Sequence, residues 1–386
     1  MSLLTTSRQV EELCRELVHE RFVAIDTEFM RDRTYWPKLC LVQLAGERRH
    51  AAIDPLVPQI DLAPLFELLA DQRVLKVFHA ARQDIEIFHR LTGRIPGPLF
   101  DTQLAAMVCG YGEEVAYETL VKQLAKARID KTSRFTDWSR RPLSPQQLEY
   151  ALADVIHLRV VYERLREQLV RTGRQDWVAE ELADLTNPEM YQQAPEETWK
   201  RLKVRSREPR FLALVRELAA WREREAQRRD LPRNRIIRDD LLMEIAANRP
   251  TSIEQLAALR RISLDKGSAA AVVHAVQRAL ALPEDQLPEL EHQARLPRGI
   301  GPVVDLLRVL LKFKCEEHHV AQRLVATTSD LEAIAAEDAP DVPALNGWRF
   351  EVFGRSALAL KQGQLGLAVR DGQVGIMPMA EPARQV

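Results

Sequence analysis

Strand-type patterning in this chain of 386 residues stops near residue 101, and helical patterning fills the rest. Short apolar runs between turn residues or charges predict five strands, over residues 22–29, 39–44, 51–54, 74–78 and 98–101. Apolar residues at helical intervals predict helices over 62–70 and 81–91, between the later strands. Strands followed by strands alternating with helices predict an α/β domain, a mixed sheet with flanking helices.

The second half of the chain predicts helices alone. They cover residues 211–229, 238–248, 252–260, 268–282 and, after a proline- and charge-rich stretch, 303–319. Residues 239–246 resemble residues 329–336, which predicts two copies of a small all-α helical bundle. One core rarely serves so long a chain. We therefore expect an α/β domain over 1–195, helical domains over 205–285 and 295–375, and a disordered tail over 376–386.

Composition excludes several classes of protein. Hydrophobic residues make up 46% of the chain and charged residues 29%, which is typical of globular proteins. No apolar run approaches the ~18 residues that a membrane span needs, and the N-terminus lacks the pattern of a secretory signal. The four cysteines are far apart, which argues against a disulfide framework or a zinc ribbon. We expect a cytoplasmic protein without a membrane partner.

The net charge of −1 conceals a basic island over residues 196–238, where 14 lysines and arginines accompany 7 acidic residues. Such an island can be the electrostatic footprint of a partner that carries phosphates. It can equally be a solvated helix face whose charges form ion pairs. The sequence leaves both interpretations open.

Five polar residues stand where chemistry is possible. Asp26 and Glu28 interrupt an apolar strand, and residues two apart project from the same face, so their carboxylates point together. Asp84 follows another strand, early in a helix, where sites of α/β proteins collect. Tyr150 and Asp154 lie one turn apart on one helix face. Each alone has an ordinary explanation, such as a wet strand edge, a helix cap or a surface helix.

Together, the four carboxylates predict a metal site. Their charge of about −4 would be neutralised by two divalent cations, and all-oxygen ligands favour Mg²⁺ or Mn²⁺ over zinc. Two such ions can clamp the attacking and leaving oxygens of a phosphodiester. The sequence contains no glycine-rich nucleotide loop and no serine-hydrolase elbow that would favour another chemistry.

Three stretches resemble the exonuclease motifs of the DEDD superfamily, in the subgroup with a tyrosine in the third motif. They are residues 25–29 (IDTEF), 79–84 (HAARQD) and 150–154 (YALAD). The flanking segments 34–43 and 137–143 are similar to those of the bacterial ribonuclease D family. Residues 229–235 and 238–240 resemble that family's first helicase-and-RNase-D C-terminal (HRDC) domain, and residues 346–354 resemble the end of a second, diverged copy.

The resemblance implies a ribonuclease H-like sheet and 3′→5′ removal of nucleoside 5′-monophosphates from RNA, chiefly from tRNA precursors with 3′ extensions and other small structured RNAs. It makes Asp26, Glu28, Asp84 and Asp154 the ligands of two divalent cations, Mg²⁺ or Mn²⁺. It makes Tyr150 the residue that orients the attacking water, since a phenol with a pKa near 10 is a poor base at neutral pH. It implies no protein partner, and we expect a monomer.

Ten further residues are candidates for contact with RNA. They are Phe29, Met30, His79, Lys131, Arg134, Trp138, Arg141, Arg228, Arg233 and Arg235. The first two could stack on the terminal base or pack in the core, and the histidine could touch the substrate or bond to the backbone. The next four belong to a basic, aromatic-rich loop beside the third motif, which favours substrate contact. The last three belong to the basic island.

Two other functions remain compatible with the sequence. A DNA 3′→5′ exonuclease of the proofreading or helicase-associated kind would use the same carboxylates, and the sequence does not show which groups read the ribose 2′-OH. A non-catalytic RNA-binding protein on the same fold would be expected to have lost motif residues, and all five are present. The sequence therefore favours an exoribonuclease.

Overall fold

A mixed six-stranded sheet organises the first part of the chain, which confirms the predicted α/β class. The computed structural model describes residues 2–130, 132–134, 136–192, 194–259, 261–289 and 297–379. The strands are β1 Leu3–Leu4, β2 Phe22–Met30, β3 Lys38–Ala45, β4 His50–Ile53, β5 Leu75–Phe78 and β6 Leu99–Asp101. Their order is β1-β4-β3-β2-β5-β6. β2, β3 and β4 form an antiparallel meander. The other pairs are parallel: β1 with β4, β5 with β2, and β6 with β5.

Helices cover both faces of this sheet. They are α1 Ser7–Leu17, α2 Ala63–Ala70, α3 Arg82–Thr92, α4 Thr102–Val108, α5 Tyr117–Leu120, α6 Pro145–Thr172 and α7 Gln175–Leu185, and a π-helical turn at Val121–Ala125 continues α5. The first three helices share one apolar cluster with Val23 and Ile25 of β2. The long helix α6 covers the opposite face, where its Ala151 packs near Leu41 and Ala52.

The central strand β2 has an open edge at the point where its carboxylates lie. It pairs with β3 along almost its whole length, but with β5 only at residues 22–24. A β-bulge between Glu28 and Phe29 bends its far end. Because the first half of β2 is buried, a slip in register would turn its apolar residues outward, so the positions of its carboxylates are fixed.

The rest of the chain is helical with one exception. The helices are α8 Pro209–Arg229, α9 Arg233–Ile236, α10 Asp239–Asn248, α11 Ile253–Ala257, α12 Lys266–Ala281, α13 Gly301–His318, α14 Gln322–Val325, α15 Thr328–Ala336, α16 Gly347–Arg349 and α17 Arg355–Lys361. Short 3₁₀ turns lie at Pro188–Tyr191, Pro195–Arg201, Glu284–Gln286 and Pro343–Leu345, and a π-helical turn lies at Phe350–Gly354. No helix in the described residues is long and apolar enough to cross a membrane.

The exception is an antiparallel hairpin of β7 Leu365–Arg370 and β8 Gln373–Pro378, which corrects the expectation of helices alone. Asp371 and Gly372, between the two strands, both have positive φ, as a tight Asp-Gly hairpin turn requires. Residues 376–378 of the predicted tail are therefore strand, and residues 380–386 lie outside the described part of the chain.

The two groups of C-terminal helices bury their apolar faces differently. Helices α8 to α12 close around a core of their own, which includes Leu218 and Val276. Helices α13 to α17 share a core with the α/β domain, because Phe353 belongs to the same apolar cluster as Leu165 of α6. The rings of Trp177 and Trp348 stack at this junction, with centroids 4.3 Å apart. The last helices are thus packed directly on the α/β domain.

The loop after β2 ties the α/β domain to α8. The Tyr35 hydroxyl donates to the carboxylate of Glu223, which is 1% exposed. Arg233 holds that carboxylate through Nε and Nη2, and its Nη2 also lies 3.2 Å from the Tyr35 hydroxyl. The next residue, Trp36, donates from its backbone nitrogen to Asp230 at 3.0 Å. These contacts form an interdomain latch of Tyr35, Trp36, Glu223, Asp230 and Arg233.

Removing Arg233 from the latch should destabilise the protein. An Arg233→Met variant leaves the Glu223 carboxylate buried without its cation. The expected loss is about 2 kcal/mol, below the 3–5 kcal/mol of a fully buried pair, because Arg233 is partly open to solvent. Calorimetric thermal unfolding measures the effect. Arg235→Met, two residues away on an exposed side chain, is the matched control, and an equal Tm for the two variants would show that the latch adds no stability.

Candidate active site

Three carboxylates gather above the open edge of β2. Asp26 and Glu28 project from the face of the strand that α6 covers, and Asp154 approaches them from that helix. One oxygen from each of the three lies within 4.8 Å of the others. The small side chain of Ala151, which is fully buried, lets the helix approach the sheet closely. The alternation of the strand and the packing of the helix therefore bring these groups together.

Asp84 lies beside this group rather than within it. It stands in the first turn of α3 and is 7% exposed. Its Oδ1 accepts a hydrogen bond from the Thr27 hydroxyl. Thr27 lies between Asp26 and Glu28 in sequence, so its side chain leaves the strand on the opposite face. The fourth predicted carboxylate is thus anchored to the same strand, and burial and the charge of Asp26 raise its pKa.

Burial raises the pKa of every carboxyl group in the site, and repulsion by neighbouring carboxylates raises the pKa of Glu28, Asp84 and Asp154 further. Burial raises the pKa of Asp26 to about 6 and is also the largest cause of the raised pKa values of Glu28 and Asp154. The charges of neighbouring carboxylates add to this effect. The guanidinium of Arg134 opposes it at Glu28 and Asp154. The site therefore favours protonation until positive charge enters it.

The donor set fits divalent cations of the magnesium type. Its atoms are carboxylate oxygens alone, which hard cations prefer and which zinc sites rarely use without nitrogen or sulfur. The four cysteines are buried and free. Asp26, Glu28 and Asp154 could hold one ion directly, with Asp84 next to them. The raised pKa values indicate that the negative charge is not fully compensated by the protein itself.

Tyr150 stands one helical turn before Asp154. Its hydroxyl is hydrogen-bonded to the Asp154 carboxylate, and burial and the surrounding negative charge raise its pKa. The phenol is therefore neutral at physiological pH and available as a hydrogen-bonding group. The capping box of Ser144 and Gln147 and a proline at the first position of α6 fix where this helix begins.

A cavity of about 790 Å³ opens in front of these groups. Its lining includes Asp26, Glu28, Phe29, His79, Gln83, Gln103, Tyr117, Ile129, Arg134, Tyr150 and Asp154. The cavity combines apolar and polar lining residues, which is typical of a ligand site.

The predicted substrate contacts divide between the cavity and other places. Phe29, His79 and Arg134 line the cavity. Burial lowers the pKa of His79 to about 4, so its imidazole is neutral at physiological pH, and its Nδ1 lies 3.0 Å from the Thr102 hydroxyl. Met30 packs against the apolar cluster under α6. Lys131 lies outside the described residues.

Trp138 and Arg141 hold the loop before α6 in place. Trp138 is 2% exposed and belongs to the apolar core. Arg141 binds both oxygens of Asp54, at 2.5 and 2.6 Å, and donates to the carbonyls of Trp138, Arg140 and Cys40. These bonds use all five N–H donors of a guanidinium. This arrangement indicates a structural role for Arg141, and its contact with the substrate stays a prediction.

The basic island forms ion pairs along α8 and α9. Arg228 pairs with Glu225, and Arg233 belongs to the latch with Glu223. Arg235 is exposed on α9. The pairing supports, for Arg228 and Arg233, the interpretation of the island as a solvated or interfacial helix face.

Two residues that sequence reasoning missed support the site. The Tyr117 hydroxyl donates to the backbone carbonyl of Asp154, and its ring lies 4.9 Å from that of His79. The buried carboxylate of Asp101 accepts from the backbone nitrogens of Ala80 and Ala81, at 3.0 and 2.8 Å. These bonds hold the turn between β5 and α3, in which Ala80 adopts a φ of 55°. The polar end of β6 was a signal for Asp101, whereas nothing in the sequence singled out Tyr117.

Comparison with known proteins identifies the family. A 3′-5′ exonuclease family model matches residues 1–170, and an HRDC domain model matches residues 211–266. Ribonuclease D of Nitrobacter hamburgensis is 51% identical over 379 residues, which cover 97% of this chain and 98% of the relative. The chain belongs to the ribonuclease D family. Ribonuclease D of Granulibacter bethesdensis is 50% identical, with 97% of this chain and 96% of the relative covered.

Solved structures agree with this membership of the ribonuclease D family. The crystal structure of Escherichia coli RNase D, described as an exoribonuclease involved in structured RNA processing, matches with a TM-score of 0.78 and 29% identity. The match covers 94% of this chain and 98% of that one. A protein from Bifidobacterium adolescentis, 21% identical with a TM-score of 0.70, has the same fold. The chain is therefore a hydrolytic 3′-5′ exoribonuclease of the DEDD type, whose fold implies divalent metal ions.

Cation binding should be linked to proton release. Because its folded-state pKa is raised to about 8, Asp154 holds a proton at neutral pH, and Asp26, with a pKa of about 6, holds one at the acidic end of the range; these protons must leave when a cation enters. The affinity for Mn²⁺ should rise from pH 5.5 to 7.5, by up to about tenfold per pH unit for each proton released. Isothermal titration calorimetry in buffers of different ionisation enthalpy measures the proton count.

The free energy of unfolding of the metal-free protein should fall as the pH rises, whereas its affinity for Mn²⁺ rises. Groups with raised pKa values contribute stability at low pH that is lost as the pH rises through those values. Cation binding that is independent of pH and releases no protons would contradict this electrostatic description.

Proposed function

We propose that this exoribonuclease uses Mg²⁺, with Mn²⁺ as a substitute, to remove nucleoside 5′-monophosphates from the 3′ ends of tRNA precursors and other small structured RNAs. The observation that carries the metal-dependent chemistry is the cluster of Asp26, Glu28 and Asp154 at the polar end of the cavity. The curated relatives and the E. coli structure support RNA as the substrate class. The choice of precursor tRNA rests on the family resemblance.

Four carboxylates would hold the cations. Asp26, Glu28 and Asp154 have converging oxygens, and Asp84 is fixed next to Asp26 by its bond from Thr27. When bound, two such ions lower the pKa of water and stabilise charge on the attacking and leaving oxygens of the phosphodiester. The protein's own contribution is to keep four ionisable oxygen ligands together, with the guanidinium of Arg134 only partly offsetting their charge.

Tyr150 would orient the attacking water. Its neutral hydroxyl lies on the cavity wall and is held by the Asp154 carboxylate, so it can hydrogen-bond to a water beside the carboxylates. A phenol whose pKa is raised does not act as a base at physiological pH. Its role is therefore one of position, which converts a diffusing water into an aligned reactant.

The cavity would take the 3′-terminal nucleotide. Phe29 offers an apolar face for a base, and the neutral His79 offers a hydrogen-bonding nitrogen on the same wall. Arg134, also on the wall, would meet the negative charge of the phosphate. We propose that Lys131 adds positive charge beside Arg134. Arg228, Arg233 and Arg235 would contact at most the part of the RNA that lies outside the cavity.

We propose that residues 295–375 form a second HRDC-like domain. The matched region and this one repeat the same succession of backbone features. The long helices α8 and α13 are each followed by one left-handed residue, Asp230 or His319. A four-residue helix follows in both, α9 or α14, and then an extended residue before α10 or α15. We also propose that the α/β domain covers residues 1–195, that the first helical domain covers residues 205–285, and that the protein is a monomer.

Replacing Asp26 or Asp154 with asparagine should lower turnover by several orders of magnitude while the fold is retained. The amide keeps the volume of the side chain but removes ligand charge. The Tm of the metal-free variant should stay equal or rise, because repulsion among buried carboxylates is relieved. A labelled single-stranded RNA oligonucleotide with Mg²⁺, Mn²⁺ or EDTA reports the rate. Glu149→Gln, an exposed neighbour on α6, is the control, and near-wild-type turnover in Asp26→Asn would overturn the site.

Replacing Tyr150 with phenylalanine should separate positioning from metal binding. Only the hydroxyl is lost, so the affinity for Mn²⁺ should be kept while kcat falls by about 10²-fold. Single-turnover kinetics at saturating cation give the rate, and calorimetry gives the affinity. A collapse of affinity with full recovery of the rate at high cation would show that Tyr150 supports the ligands instead.

A further inference from the structure

A fully buried glutamine lies beside the carboxylates without a hydrogen-bond partner. Gln43 stands on β3 directly opposite Asp26 in the antiparallel register, and no part of it is exposed. Neither its amide nitrogen nor its amide oxygen has a partner among the described residues. Exchanging the two ends of the amide changes nothing, because both are unpaired. Buried polar atoms are almost always hydrogen-bonded, so an unpaired amide in this position requires an explanation.

Asp26 is the polar side chain that Gln43 faces across the strands. Opposing residues of antiparallel strands have Cβ atoms about 4.5–5.5 Å apart, within the reach of a glutamine side chain. On its other side Gln43 faces Ala52 of β4. Leu41 and Ala45 flank Gln43 on β3, and they belong to the apolar clusters that also contain Ala151 and Val155 of α6.

The other carboxylates on this face are farther away or already bonded. Glu28 and Asp54 occupy diagonal positions relative to Gln43, where Cα separations are about 7–8 Å. Both oxygens of Asp54 are held by Arg141. Asp26 itself receives a hydrogen bond from the backbone of Thr27 and has acceptor capacity for more.

We propose that Gln43 is a positioning residue for Asp26, and that its Nε2 donates a hydrogen bond to the Asp26 carboxylate when the site holds its cations. This inference rests on the proposed function. A carboxylate that binds a cation must be ionised, and its outer oxygen then needs a donor. Ligating carboxylates in proteins are generally held in this way by a neighbouring group. In the metal-free protein the amide of Gln43 has no hydrogen-bond partner among the described residues.

Substituting methionine for Gln43 gives a signature that an ordinary structural amide would not give. Methionine is unbranched and of similar length, so it removes the polar atoms with little change in packing. The metal-free Gln43→Met protein should have an equal or higher Tm, because an unpaired buried amide is removed. Its affinity for Mn²⁺, measured by calorimetry on the full chain, should fall by about tenfold or more.

Gln168→Met on α6 is the matched control, because that amide is paired at both ends. It accepts from the Tyr111 hydroxyl and donates to the carbonyl of Cys109, both at 3.0 Å. This variant should lower the Tm and leave the affinity for Mn²⁺ unchanged. Gln43→Met is thus expected to weaken Mn²⁺ binding without lowering the Tm, whereas Gln168→Met is expected to lower the Tm without changing Mn²⁺ binding.

A lower Tm with unchanged affinity in Gln43→Met would overturn the proposal. Gln43→Asn provides a second reading if the methionine variant does not fold. It keeps the amide but withdraws it from Asp26, so weaker Mn²⁺ binding is expected and wild-type binding would contradict the proposal. Asp26→Asn separates this outcome from failure of the metal site itself. Wild-type Mn²⁺ affinity in Asp26→Asn would overturn the proposed function, whereas an effect there without one in Gln43→Met overturns the role of Gln43 alone.

Discussion

Repulsion among buried carboxylates is the interaction on which the rest of this structure depends. Asp26, Glu28 and Asp154 present oxygens within 4.8 Å of one another, and burial there disfavours the ionised form of each carboxyl group. No arrangement of three flexible acidic side chains would persist there without a rigid frame. The frame consists of a strand with fixed register and a helix of 28 residues packed across it. Its rigidity keeps the ligands together before any cation arrives.

The supporting contacts reach well beyond the cavity. Arg141 joins the loop before α6 to Asp54 beside β4, and the Tyr117 hydroxyl fixes the backbone at Asp154. On the other side, the loop that follows β2 carries the latch to α8. The strand that bears two of the carboxylates is therefore connected at its end to the HRDC domain. Displacement of the helical domain would act on the catalytic strand through Tyr35 and Trp36.

The sequence predicted the frame well, because alternation and helical spacing are local properties. The common face of Asp26 and Glu28 followed from the two-residue period of a strand, and five of the six strands of the mixed sheet were predicted. The helix α1 and its capping box at Thr6 were overlooked, as was the hairpin around Asp371 and Gly372. Their signals were present, but they stood outside the simple division into strands followed by helices.

What the sequence could not supply were contacts between residues far apart in the chain. The alternation of the strand predicts that the Thr27 side chain lies on the face opposite to Asp26 and Glu28. Only the tertiary fold brings Asp84 of α3 within hydrogen-bonding distance of it. The pairing of Arg141 with Asp54 and of Arg233 with Glu223 depends on tertiary packing, so basic residues that looked suited to RNA proved to be bonded within the protein. A charge count measures composition, whereas function depends on which charges remain unpaired.

A crystal structure of the full chain grown with Mn²⁺, with anomalous scattering recorded at the manganese edge, tests the central claim most directly. Two anomalous peaks are expected at the carboxylate cluster, with oxygens of Asp26, Glu28, Asp84 and Asp154 as the protein ligands. A cluster that stays without peaks at saturating Mn²⁺, or ions bound elsewhere on the chain, would contradict it.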